Sequence, residues 1–466
     1  MNKLNLKSVL LGSGAAVALL ASPAVAGEVD DLKAQIEALQ QRLDTVEVQQ
    51  TKIVDTQERV APANAVTGGD FPGSWKLPGS DTSISFSGYV KADFIYDFDN
   101  LTNSDSFGVS GIALDNSASA RRDGRTRLHA RQSRFRFDSR TPTDWGMMRT
   151  RIEGDFFGNG GNQNVSNSNS FRLRHAFGQL GPVLAGQTWT TFMDANTFVD
   201  TVDFFGTTGA EFVRQAQIRY TASLAEGLTM DVAVENPQSR ILFANATGAA
   251  ASTNTNDQLP DLVAAFRYTD SWGAINLTGV GRRFEFDVGN GGNDSTWGYG
   301  VHIGGNVNLT DNDNIGIVYN FGDGIGRYML GSLFRGAVAR CTNPAANITP
   351  GTAGCNVDVE TIWSQGGFVR LTHNWTDNLR SSLHGGWALN DVPVGALTTP
   401  GIGGSAAANG LNTELYDVRG NIMWSPVSRV NIGFEVMHGW RTTHQANQTN
   451  EAGEATRVQL GMQYTF

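Results

Sequence analysis

Three pairs of arginines stand at alternate positions in neighbouring stretches of the chain: Arg134 and Arg136, Arg149 and Arg151, Arg172 and Arg174. Residues two apart on a β-strand share a face, so each pair projects to one side. The other side carries Phe135 and Phe137, then Ile152 and Phe156, then Phe171, Leu173 and Phe177. Arg219, Arg267 and Arg370 sit in the same alternation, flanked by Ile218 and Tyr220, Phe266 and Tyr268, and Val369 and Leu371. No lysine follows Lys91. A guanidinium grips a carboxylate or phosphate through a two-pronged fork, whereas an ammonium is a point charge, so this set is suited to holding planar oxyanions. Asp138, Glu153 and Asp155 lie on the same faces. Two readings therefore stand: an electropositive wall that selects anions, or arginines that only neutralise those carboxylates. Six cations against three anions leave the wall positive in either case.

A second group of residues follows at once. The long connection after the fifth strand holds Trp189, Thr190, Thr191, Phe192, Asp194, Asn196, Asp200, Asp203, Phe204 and Phe205. It is richer in aromatics than the other connections, and two placements fit it: folded into a barrel, where it narrows a pore and turns its carboxylates to the arginines, or packed over a neighbouring subunit. Catalytic chemistry has no comparable support. Neither G-x-S-x-G nor H-E-x-x-H occurs, and the seven histidines, His129, His175, His302, His373, His384, His438 and His444, have no ligand or triad spacing. We read the chain as a non-enzyme that needs no cofactor and binds no metal.

These side chains need strands to position them. From about Thr82 to Phe466 the sequence alternates apolar and polar residues in sixteen segments, including 126–139, 145–157, 170–180, 182–188 and 212–222. Turns such as Thr141–Asp144, Thr310–Asp313 and Thr376–Asn378 take turns with long polar connections at 99–125, 236–258, 323–357 and 391–412. Even strand number, alternating loop length and tryptophans near strand ends (Trp145, Trp272, Trp297, Trp375, Trp424) predict an all-β transmembrane barrel of about sixteen antiparallel strands. Such a barrel leaves an aqueous lumen. The last strand, Val458 to Phe466, alternates in the same way and ends on an aromatic ring. This ending resembles the signal that bacterial outer-membrane proteins present to the barrel assembly machinery.

The amino terminus agrees. Lys3 and Lys7, the apolar run Val9–Leu20 and Ser22–Ala26 form a secretory signal over 1–26, with maturation expected at Gly27. Removing those two lysines from the 35 basic residues leaves a formal charge of −12 against 45 acidic ones, which argues against a nucleic-acid partner. Residues 27–60 carry Val29, Ile36, Leu43, Gln50 and Gln57 on one heptad series and Leu32, Leu39, Val46, Ile53 and Val60 on the other, the seam of a coiled coil. The heptads predict an oligomer, and by themselves lean toward two strands. A Pro/Gly-rich linker spans 61–80, and the barrel occupies 81–466. Cys341 and Cys355, close together in an exported chain, are expected to close a short disulfide loop; a metal pair has no histidine nearby to complete it.

Several motifs then resemble the DcaP-like trimeric porins: Ser87–Asp93, Arg131–Phe135, Gly186–Trp189 leading into Asp200–Phe204, and the amino-terminal coiled coil. The resemblance implies a homotrimer in the Gram-negative outer membrane, surrounded by lipid, with the coiled coil in the periplasm and small anionic solutes, dicarboxylic or aromatic acids, passing through the arginine-lined pore. Phosphate-selective porins share this plan, but their lysine-lined pore is missing here. A general-diffusion or phosphate porin, or a structural protein tethered to the cell wall, are the alternatives. One expectation is directly testable: Cys341 and Cys355 in non-reduced protein do not react with a maleimide, and Cys341→Ser hardly alters conductance. Labelling of both thiols overturns the bridge.

Overall fold

A sheet whose strands are apolar on one face, with no helix to cover that face, removes its open edges by closing on itself, and its apolar side then meets lipid. The computed structural model of the protein has this architecture. It describes residues 34–46, 66–115, 117–244, 255–287, 293–330, 335–341, 356–393, 411–444 and 450–466. The barrel strands are β1 (Ser83–Asp97), β2 in two segments (Arg125–His129 and Arg134–Thr143), β3 (Gly146–Gly158), β4 (Ser170–Leu180), β5 (Val183–Trp189), β6 (Arg214–Ala225), β7 (Leu228–Glu235) and β8 (Asp261–Asp270). The second half comprises β9 (Gly273–Asp287), β10 (Asn293–Asn308), β11 (Asp313–Asp323), β12 (Trp363–Thr376), β13 (Leu379–Asp391), β14 (Leu411–Trp424), β15 (Val430–His444) and β16 (Asn450–Thr465). The result is a closed antiparallel barrel of 16 strands.

Closure joins the two ends of the barrel sequence. β16 pairs with β1 from Tyr89 opposite Thr465 to Asp97 opposite Arg457. Phe466 N donates to Gly88 O at 3.1 Å and Gly88 N to Phe466 O at 3.3 Å. The terminal ring lies 5.8 Å from Phe86 and 6.3 Å from Phe135, so it seals the seam on the lipid side.

Burial runs opposite to that of a soluble sheet. On β1, Phe86, Val90 and Phe94 are exposed while Ser85, Lys91, Asp93 and Asp97 are buried; on β14, Tyr416, Val418 and Ile422 are exposed while Asp417, Arg419 and Asn421 are buried. Two breaks in the alternation fall on the arginine-bearing strands. Residues 130–133 interrupt β2, which the sequence pattern ran as one strand. Register shifts between β3 and β4, at Glu153/Gly154 and Asp155/Gly158, change the phase of β4. Phe177, expected on the lipid face with Phe171 and Leu173, is consequently buried inside.

Many inner residues are buried because the long connections fold into the barrel. Segment 99–125, expected as an outer loop, turns Leu101, Phe107, Val109 and Ile112 onto Ala388, Leu415, Met437 and Ala455 of the inner wall. Segment 324–330 brings Ile325, Tyr328 and Met329 against Phe192 and Val280. Residues 241–244, 337–341 and 357–361 form a small three-stranded sheet over Phe284 and Phe286; the first two lie in segments expected as polar loops, and the third in the stretch 358–375 expected as one barrel strand. Residues 34–46 form a helix with Ile36, Leu39, Leu43 and Val46 all exposed. The signal segment, most of the heptads, much of the linker and Cys355 with its expected bridge lie outside the described residues.

The seam supplies a test. Phe466→Ala removes the ring contacts to Phe86 and Phe135, about 0.5–1.5 kcal/mol each, at the point where the barrel closes. The expected outcome is less heat-modifiable barrel on semi-native gels, with unchanged conductance in the channels that do form. An undiminished yield means that the terminal ring is dispensable for closure.

Candidate functional site

The six paired arginines come together as three neighbouring strands should bring them. Asp138 on β2 receives Arg151 Nε at 2.9 Å and Arg149 Nη2 at 3.2 Å, with Arg136 Nε at 3.1 Å. Asp155 on β3 is held by the fork of Arg172, at 2.9 and 2.7 Å, and by Arg174 Nη1 at 3.0 Å. Glu153 takes Arg174 Nε at 2.8 Å and Arg134 Nη1 at 3.4 Å. All six therefore touch the three carboxylates foreseen, and the excess of three positive charges remains. Rings flank them: Arg134 lies over Tyr89 at 5.0 Å, Arg149 over Phe177 at 5.7 Å and Arg172 over Phe204 at 5.1 Å.

The other three predicted arginines do different work. Arg370 donates to the carbonyls of Thr197 (3.2 Å) and Asn196 (3.1 Å), and Arg267 to those of Thr191 (2.8 Å) and Met193 (3.1 Å) while paired with Asp231. Both hold the connection after β5 rather than line open space. Arg219 Nε is buried without a hydrogen-bond partner. Toward the outer end, Asp105 receives Arg127 Nε at 2.6 Å and also binds Arg131. Burial alone raises the Asp105 pKa, but hydrogen bonds from those two arginines outweigh it and hold the carboxyl below its ordinary range.

Segment 190–213 packs along the inner face, and inward carboxylates of the strands bind its backbone. Glu235 on β7 accepts from Thr190 Oγ1 and Thr191 N, both at 2.6 Å. Glu435 on β15 accepts from Val202 N (2.5 Å) and Asp203 N (2.9 Å), and Asp417 on β14 from Thr208 N (3.1 Å) and Thr207 Oγ1 (2.5 Å). Lys91 Nζ donates to Val202 O at 2.5 Å, so the barrel's last lysine is an anchor and not a pore charge. Val202 presses so closely on β15 and β16 that a Cβ on Gly433 or Gly461 lies only 2.6 or 2.7 Å from its methyl groups. These two positions need glycine.

The predicted segment residues are thus brought to the inner wall, but not in the expected orientation. Asp200 pairs with Arg380 at 2.5 Å, and Asp203 lies 3.5 Å from Arg419 and 3.7 Å from Arg457. Asp194 caps its own short turn through Asn196 N. It is the aromatics that face Arg134, Arg151, Arg172 and Arg174. Phe204 stacks on Phe157 at 3.8 Å; Trp189 contacts Phe198 and Phe212, and Phe205 packs beside them. Phe192 lies deep against Tyr328 and His302. Between Trp189, Phe198, Phe204 and Phe212 on one side and Arg134, Arg151 and Arg174 on the other lies a cavity of about 400 Å³.

The model of the DcaP outer membrane protein family matches residues 16–466. The chain belongs to the DcaP family. Among solved structures, the outer membrane channel DcaP of Acinetobacter baumannii aligns over 86% of this chain and 100% of its own, at 21% identity and a TM-score of 0.64. Outer-membrane expressed OmpT of Vibrio cholerae aligns over 84% and 99%, at 12% identity and a TM-score of 0.50. Both are likenesses of fold. A comparison with curated protein sequences gives no match. DcaP membership makes this chain an outer-membrane porin for small solutes and not an enzyme.

Sequence reasoning missed the anchors Glu235, Asp417 and Glu435. Each is an inward carboxylate on a strand, a signal visible only once an infolded segment is there to use it. Removing one tests their work. Glu435→Ala orphans two buried N–H groups, at about 1–3 kcal/mol each; we expect lower thermal stability and noisier, larger single-channel currents. Currents indistinguishable from the parent's rule out anchoring by Glu435.

Proposed function

We propose that this DcaP-family barrel is an anion-selective porin through which small organic acids, dicarboxylates and aromatic acids, diffuse along the arginine wall of β2–β4. The observation that carries the reading is the uneven exposure of arginines on the inner wall. Arg282, Arg419 and Arg457 are 1% exposed or less, closed over by infolded segments. Of the six wall arginines, Arg136, Arg149, Arg151 and Arg172 keep between 23% and 41% of their side-chain surface accessible and Arg134 keeps 19%, while Arg174 is buried at 4%. The open path thus runs beside guanidiniums in excess over carboxylates, and low-dielectric walls focus that charge on a passing anion despite the negative total of the chain. Segment 190–213 is the constriction, its rings forming the apolar side of the path.

The porin works as a homotrimer, with residues 27–60 as a periplasmic coiled coil released from the signal at Gly27. Support comes from the helix at 34–46, whose apolar stripe stays exposed on a single chain, as a seam awaiting partner helices does. A phosphate porin is the second reading. Against it stands Lys91, whose ammonium is committed to Val202, Gln132 and Asp93.

Replacing Arg149 and Arg151 by Gln tests the wall. Each lost charge-assisted hydrogen bond is worth about 1.5–3 kcal/mol before desolvation. We expect normal assembly, a reversal potential shifted toward cations under a salt gradient, and block by succinate weakened more than block by acetate. The Lys replacement keeps the sign of selectivity and loses the preference for two-oxygen ligands. An unchanged reversal potential and succinate block overturn the reading.

A further inference from the structure

Three carboxylates stand among the six arginines, and they are not held alike. Asp155 is fully buried, with Arg172 on both its oxygens and Arg174 added on one. Asp138 is gripped on both oxygens by Arg151, with Arg149 and Arg136 beside it. Glu153 is held differently. Arg174, Arg134 and His175 all approach the same oxygen, Oε1, at 2.8, 3.4 and 3.9 Å. Glu153 also has one more rotatable bond than either aspartate, and it borders the 400 Å³ cavity that Arg134, Arg151, Arg174, Phe177, Trp189 and Phe204 help to line.

Resting on the anion-porin reading, we propose that Glu153 is a displaceable counter-ion: the carboxylate of a permeating acid takes its place on Arg134 and Arg174, and its return expels the acid. A pore that attracts anions must also let them go. Arginines with no competitor at this station hold a carboxylate through charge-assisted bonds and pass it slowly. Glu153 is tethered beside them at a high local concentration, so each departure of the anion exchanges one carboxylate for another and leaves no guanidinium bare. The two aspartates, gripped on both oxygens, keep the remaining forks in place while this exchange proceeds. Glu153 acts on release; the arginines act on capture.

Single channels of the full chain in planar bilayers, blocked by succinate at constant ionic strength, test this. The parent is measured first: a parent that selects cations defeats the anion-porin reading itself. With an anion-selective parent, Glu153→Gln is expected to lengthen the succinate block at least about tenfold while the association rate changes little. Glu153→Asp keeps the charge but shortens the reach by one methylene, and its block time falls between those of the parent and the glutamine variant. Should the glutamine variant fail to insert, the aspartate variant alone decides, since a block time longer than the parent's supports exchange. Block times equal to or shorter than the parent's in the variants overturn it, even if the reversal potential moves, because background charge alone shifts selectivity without altering release.

Discussion

Backbone amides that enter a barrel must find acceptors there, because neither water nor a strand ladder supplies them in the interior. Segment 190–213 carries many such groups inward, and the wall answers with carboxylates. Glu235, Asp417 and Glu435 each take two donors from the segment. A charged acceptor is a strong partner for a backbone N–H but is costly to bury alone. Arg419, beside Asp417 and near Asp203, offsets that cost. The placement of every other functional group follows from this arrangement.

Its first result is an asymmetric lumen. Anchors lie on β1, β7, β8, β12, β14 and β15, so the infolded segment is fastened around much of the inner wall. The wall of β2–β4 carries few such anchors, and Arg136, Arg149, Arg151 and Arg172 on it stay partly accessible. Charge follows the same division. Asp200 and Asp203 are used up against Arg380, Arg419 and Arg457, which leaves the segment's rings to face Arg134, Arg151, Arg172 and Arg174. A cavity with guanidiniums on one side and aromatic faces on the other is the outcome.

Much of this was legible in the sequence. The period-two alternation, the turn chemistry and the alternating loop lengths determine the barrel and its strand number, because each is a local signal. The arginine pairs were legible for the same reason. The contents of the lumen were not. Phe107, Val109 and Ile112 lie in a connection that is polar on average, and their burial depends on Leu415, Met437 and Ala455, hundreds of residues away. The phase of β4 was missed because a bulge changes which residues face inward without altering composition. The direction of Asp200 and Asp203 was missed because arginines stand on both walls, and spacing alone cannot say which are nearer.

The distance along the chain between anchors and anchored also sets an order of events. Val202 and Glu435 are separated by 233 residues, and Asp93 and Gln459 by 366. Contacts of such span form late, since the loop they close is long and entropically dear. Strands from both ends of the barrel sequence hold the infolded segment, so its position is complete only when β14 and β15 are in the sheet. Phe466 meets Gly88 at the same stage. Sealing the wall and setting the bore are therefore one event, and a barrel caught before its last strand docks has neither a finished rim nor a defined passage.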